Sequence, residues 1–260
     1  MGHHHTLTDA ELRKLQSYDG LDFDYVDNTA HRVFQWQKSR KVRMVNMVSR
    51  WLATFFIGVA AAVVAWSSHV VIGGIYDGKF FLIQEYVKTP FGPVKSFFAF
   101  MSINLAIAVC GSLVVVFWGP AAAGSGIPEI KAYLNGTYLP KVLNIRTFIA
   151  KFAGVICAVG SSFPVGPEGP MIHIGGMIGA SVSQGRSKTM RVDLNVYQQF
   201  RNPRDRRDFI SIGAGAGLAA LFGSPLGGVL FTLEEIACFW SSELTWRALF
   251  GSMTAVFVVN

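Results

Sequence analysis

One carboxylate, Glu168, stands in the run "SSFPVGPEGPMIHIGG", and from position 164 to 180 it is the only charged side chain. Burying such an acid as an anion is costly, and desolvation and local dipoles push its ionisation in opposite directions. The Gly-Pro pairs around it mark a helix start, because proline fits a first helical turn and cannot continue a helix from within. The same pattern recurs in "GPAAAGSGIPEI", which holds Gly124, Ser125, Gly126 and Pro128, and in "FGSPLGG", which holds Pro225. Each such start leaves free N–H groups and the positive end of a helix dipole at the break. Two or three of them converging would hold an anion without a buried lysine. A lone Gly-Pro break reads as a kink in a continuous helix; three in one chain point to a binding site.

Other candidates are weighed the same way. Glu234 and Glu235 close an apolar run, and ionisable groups in a membrane span are functional candidates by default. For Glu234 the reading is an acid at the interfacial end of a helix. Glu129 and Lys131 read as a structural or interfacial charge set, His173 as a packing histidine, and Ser125 as a helix N-cap. A buried ion pair of Glu168 with Lys151 is the competing explanation for that acid.

The elements that must position these residues are membrane helices. The 260 residues are 51% hydrophobic and only 15% charged, against about a quarter in soluble domains. No Asp, Glu, Lys or Arg occurs in 51–76, 96–128 or 209–233, and each window exceeds the roughly 20 residues that cross a bilayer core. The expectation is an all-α, polytopic membrane protein with two long spans, about 44–72 and 94–118, followed by broken or re-entrant helices. Helices are expected from Pro128 to about 135, over 145–162, from Glu168 to about 184, over 209–222, from Pro225 to about 240, and over 246–259. Irregular backbone at membrane depth is tolerated only inside protein or beside a wet cavity.

The net charge of +7 is placed by the positive-inside rule. Lys38, Arg40, Lys41 and Arg43 precede the first span, and Arg201, Arg204, Arg206 and Arg207 lie in the polar segment 185–208; both clusters read as cytoplasmic. The connection 67–95, with Lys79, Lys88 and Lys95 spread among Asp77 and Glu85, is assigned to the opposite face. Residues 1–43 read as a cytoplasmic arm and 44–260 as the membrane domain, whose first span serves as the internal topogenic signal.

Several classes are set aside. Asp205 and Asp208 interrupt the second basic cluster, so no nucleic-acid partner is expected. Cys110, Cys157 and Cys238 lie in apolar stretches without CxxC spacing, which argues against a metal site or disulfide framework. No nucleophile–base or phosphate-loop constellation points to an enzyme or a resident cofactor. "GAGAGLAALF" lacks the preceding strand and following acid of a dinucleotide site.

Three motifs in one order, "GSGIPE" (124–129), "GPEGP" (166–170) and "GSPLGGVLFTLEE" (223–235), resemble the CLC family of chloride channels and chloride/proton exchangers. "KFAG" (151–154), "GAGAGLAALF" (213–222) and "LTWR" (244–247) fit as well. The resemblance implies the first half of an inverted-repeat membrane domain, with the lipid bilayer, chloride and protons as partners and a homodimer in the complete form. It implies that Ser125, Gly124, Gly126, Gly166, Glu168 and Gly169 bound the chloride site, that Glu168 is the gate, and that Glu235 transfers protons from the inner side. The family's second half would bring another helix start and a tyrosine hydroxyl. "LDFDY", "GPMIH" and "SQGR" are similar to the late-endosomal and lysosomal branch, which implies an endosomal, lysosomal or vacuolar membrane. One departure stands out: Pro167 occupies the position where the family usually has Lys or Arg. The implied activity is chloride/proton antiport; a passive voltage-gated chloride channel and a non-conducting short subunit are the alternatives.

Overall fold

The computed structural model describes residues 40–88, 91–137, 139–184, 186–187, 192–193, 200 and 202–260. The arm assigned to 1–43 lies outside the described residues up to position 39, as does most of 185–201. Eight α-helices are present among the described residues: α1 (Arg40–Val87), α2 (Gly92–Trp118), α3 (Ile127–Leu134), α4 (Ile145–Gly160), α5 (Glu168–Gln184), α6 (Pro203–Phe222), α7 (Pro225–Phe231) and α8 (Ser242–Val259). A 3-10 turn, Pro120–Ala122, precedes α3, and a π-helical turn, Thr232–Ile236, extends α7. Apart from a ladder of two residues per strand, β1 (Arg186–Ser187) with β2 (Val192–Asp193), the fold is all-α.

Among the described residues, two helices are long and apolar enough to cross a membrane, α1 and α2. Their outer faces carry Phe55, Phe56, Phe97, Phe98, Leu105 and Phe117 in the open, the arrangement expected where lipid rather than water is the neighbour.

The first span and the expected connection after it need correction. Residues 67–87 are not a loop: α1 continues without a break for 48 residues, about 72 Å of helix. No proline interrupts it, and a Cβ at Gly73, Gly74 or Gly78 would meet nothing within 4 Å, so these glycines mark no close contact. Helix α6 begins at Pro203 rather than 209, because the charged turn before the apolar run is itself helical. The helix from Pro225 does not run as α-helix to 240; Ala237 N–H reaches back to Thr232 C=O at 2.9 Å, the wider π spacing. Helix α8 starts at Ser242, where the Ser241 hydroxyl accepts from Leu244 N–H at 3.2 Å.

Helices α5 and α6 pack most closely and form the centre. A Cβ on Gly175 would collide with the Gly213 carbonyl, one on Gly213 with the Gly175 carbonyl, and one on Gly217 with the Met171 carbonyl at 2.5 Å. Backbones in such contact bring the two helices close enough for Met171, Ile174, Phe209 and Ile212 to be fully enclosed. Helix α1 crosses α8 where Gly58 faces the Gly251 carbonyl, and α2 meets α4 where Gly111 faces Cys157. At the basic end of the bundle, Arg50 of α1 pairs with Asp205 of α6 at 2.9 Å, and Arg247 of α8 lies 3.7 Å from Asp208 and 3.6 Å from Glu243. These contacts lock the starts of α6 and α8 to α1.

Candidate functional site

The stretch before α3 is shaped by glycine. Gly124 and Gly126 hold φ of +72° and +88°, the left-handed region that side chains disfavour, and Gly126 caps α3 with Pro128 in its first turn. Between them Ser125 is exposed, and its hydroxyl accepts from Ile127 N–H at 3.4 Å.

Lys151 of α4 holds this stretch from behind. Its side chain is buried, and its ammonium donates to the carbonyls of Ala122 (3.1 Å), Ala123 (3.4 Å) and Gly124 (2.9 Å). A carbonyl and the N–H of the next residue point opposite ways across a trans peptide. The N–H groups of Ala123, Gly124 and Ser125 are therefore turned away from the lysine. The competing explanation for Glu168 is not met: Lys151 spends its donors on backbone, and no salt bridge joins the two among the described residues.

Glu168 is the first residue of α5, where Met171 N–H makes the opening helical bond to the Pro167 carbonyl at 2.9 Å. Its half-buried carboxylate folds back over Gly166, where any Cβ would collide with it. Gly169 faces the α3 approach: a Cβ there would come within 2.9 Å of Ser125 Cβ. One turn on, His173 packs against Gly126 and donates from Nε2 to the Val142 carbonyl at 3.1 Å. The starts of α3 and α5 thus meet. They open on a cavity of about 730 Å³ whose wall includes Gly124, Ser125, Gly166, Gly169 and Lys151, with an otherwise mostly apolar lining from α2 and α4.

The third helix start does not join them. Gly223 (φ +62°) and Ser224, whose hydroxyl accepts from Gly227 N–H at 3.2 Å, begin α7, which packs on α6 and α8 and does not line the cavity. Glu235 lies on the π-helical turn, exposed, with Oε2 3.6 Å from Lys131 Nζ of α3. Lys131 thus belongs to Glu235 rather than to Glu129, whose Oε2 is buried without a partner among the described residues. Sequence reasoning missed two lysines. By sequence Lys151 is a candidate partner of Glu168 and Lys79 a residue of the 67–95 connection; in the structure Lys151 binds backbone carbonyls and Lys79 is buried on α1. The helix-compatible run without proline around Lys79 was the available signal.

Fold and site together define a helical membrane protein with two broken helices meeting at one pocket. The family model described as voltage gated chloride channel matches residues 105–260, and the chain belongs to the CLC family. Chloride channel protein A of Dictyostelium discoideum is 40% identical over 259 residues, 98% of this chain and 30% of that protein. The H(+)/Cl(-) exchange transporter 7 of Mus musculus is 40% identical over 250 residues, 94% of this chain and 31% of that protein. A crystal structure of a eukaryotic CLC transporter superposes with a TM-score of 0.74 at 25% identity, covering 83% of this chain and 38% of the other. A slow cyanobacterial Cl-/H+ antiporter superposes with a TM-score of 0.66 at 27% identity, covering 81% and 46%. The chain spans about a third of the length of the curated relatives it matches.

Proposed function

We propose that this chain is the first half of a CLC-type chloride/proton antiporter, with residues 1–43 as its cytoplasmic arm and 44–260 as the first repeat of its membrane domain. The observation that carries the reading is the close approach of Gly169 to Ser125, which sets two helix starts on one pocket, with the Glu168 carboxylate folded back over Gly166 of its wall. Chloride is held there by N–H groups and dipoles, and by the Ser125 hydroxyl. Glu168 is a tethered competitor for the same place: charged, it excludes the anion; protonated, it gives way. Glu235 receives protons from the other side, and Lys131 holds its carboxylate at the bundle surface. Similarity to an exchange transporter and an antiporter supports proton coupling over passive flow. The complete form is a homodimer, and the LDFDY, GPMIH and SQGR stretches favour an endosomal, lysosomal or vacuolar membrane.

Pro167 favours a second reading, a passive channel. A proline there removes the N–H and any cation beside Glu168, which weakens anion attraction at the approach. Both readings are tested on the complete protein reconstituted in liposomes. Antiport requires that Glu168→Ala abolish chloride-driven proton movement while chloride still flows, and that Glu235→Ala lower proton flux more than chloride flux. No proton movement in the unsubstituted protein would establish the channel reading, and coupling retained in Glu168→Ala would remove the gate.

A further inference from the structure

Lys79 is 3% exposed, although it lies in the second half of a helix whose outer face is open. Its ammonium uses three donors: on Asn104 Oδ1 of α2 at 2.9 Å, on the Gly160 carbonyl at the end of α4 at 2.9 Å, and on Ser162 Oγ in the turn that follows at 2.6 Å. The Tyr76 and Phe100 rings lie 4.7 Å and 5.3 Å from it. Tyr76 itself donates to the Val159 carbonyl at 2.8 Å. No acid pairs with Lys79 among the described residues, so the cation is held by neutral oxygens, aromatic faces and the negative end of the α4 dipole.

What this arrangement holds is the lead-in to Glu168. The last carbonyls of a helix have no helical partner; here Lys79 satisfies that of Gly160, and Tyr76 shares that of Val159 with the Ser162 N–H at 2.9 Å. Ser162 stands at φ +59°, an unfavourable conformation for a residue with a Cβ, and the ammonium bonds to its hydroxyl. Beyond it, Phe163, Pro164 and Val165 are exposed, with one backbone bond of their own, Val165 N–H to the Phe163 carbonyl at 2.7 Å. The next fixed point is the start of α5. A short tether anchored at Ser162 therefore sets where Gly166 and the Glu168 carboxylate begin.

We propose that Lys79 is a positioning residue for the gate, acting through Ser162 on the 161–167 segment; this rests on the reading of Glu168 given above. The test uses the complete protein in liposomes, with Lys79→Met, Lys79→Arg, Ser162→Gly and Asn104→Leu beside Glu168→Ala. In Lys79→Met, protons moved per chloride fall on the order of tenfold, the cost expected when a reacting group is displaced by a fraction of an ångström. The pH dependence of chloride flux flattens, and hydrogen exchange at the amides of 162–166 accelerates. Lys79→Arg recovers part of the ratio. Ser162→Gly keeps the left-handed backbone but loses the hydroxyl, and shifts the ratio the same way by less. Equal loss of both ions in Lys79→Met, with ratio and pH profile unchanged, makes the residue merely structural and overturns the proposal. If that variant does not assemble, an unchanged ratio in both Ser162→Gly and Asn104→Leu overturns it. Coupling kept in Glu168→Ala removes the gate itself; coupling lost there and kept in Lys79→Met removes only the role of Lys79.

Discussion

Gly169 sits so close to Ser125 that a methyl group on it would come within 2.9 Å of the serine Cβ. That contact sets the spacing of two helix starts, since Gly169 belongs to α5 and Ser125 to the approach of α3. Gly169→Ala forces them apart, because the alanine methyl meets Ser125 Cβ at 2.9 Å with Ile127 Cδ1 and Ser125 Cα close behind it. Chloride flux in liposomes should fall about tenfold, by the misplacement argument, with the protein still folded. Wild-type flux in the variant would show that this spacing does not matter to transport.

Lys151→Met keeps the aliphatic stem and removes the ammonium, leaving the carbonyls of Ala122, Ala123 and Gly124 without their donor. Only Ala122 among the three is a buried residue, and an unsatisfied buried acceptor costs about 1–3 kcal/mol, so a loss of that size is expected. Thermal unfolding in detergent measures it. An unchanged Tm would mean that the Gly124–Ser125 stretch holds itself.

At the α5–α6 crossing the expectation is steric. Gly213→Ala places a methyl against the Gly175 carbonyl, and overpacking of this kind costs about 1–3 kcal/mol. Gly73→Ala, where a Cβ meets nothing within 4 Å, is the control and should leave Tm unchanged or raise it. Equal effects at the two positions would contradict the close contact.

Asp205, in the charged first turn of α6 ahead of the apolar run, has its carboxyl raised above the usual range by burial, which outweighs the pull of Arg50 at 2.9 Å. The folded protein therefore holds this proton more tightly than the unfolded chain does. Its contribution to stability is fully present below the ordinary carboxylate pKa of about 4 and is lost as pH rises through the raised value. Asp205→Asn removes that dependence, so Tm of the variant minus Tm of the wild type should become more positive between acid and neutral pH. A constant difference across that range would rule out the raised carboxyl.

Much of this was legible in the chain itself. Proline and glycine act locally, through φ and a missing N–H, so the breaks before α3, α5 and α7 could be read from "GSGIP", "GPEGP" and "GSPLGG". Apolar run lengths reported the membrane for a similar reason: burial in lipid is decided residue by residue along a span. Glu168 stood out because no other charge shared its stretch. The chain order could not tell which breaks meet. The starts of α3 and α5 come together because α5 and α6 dock through bare backbone at Gly175 and Gly213, while α7 is carried to the far side of α6. Nor could it place the lysines. Lys79 and Lys151 lie 81 and 27 residues from carbonyls they bind, at Gly160 and Gly124, and a buried cation is assigned its partners only when distant segments close around it.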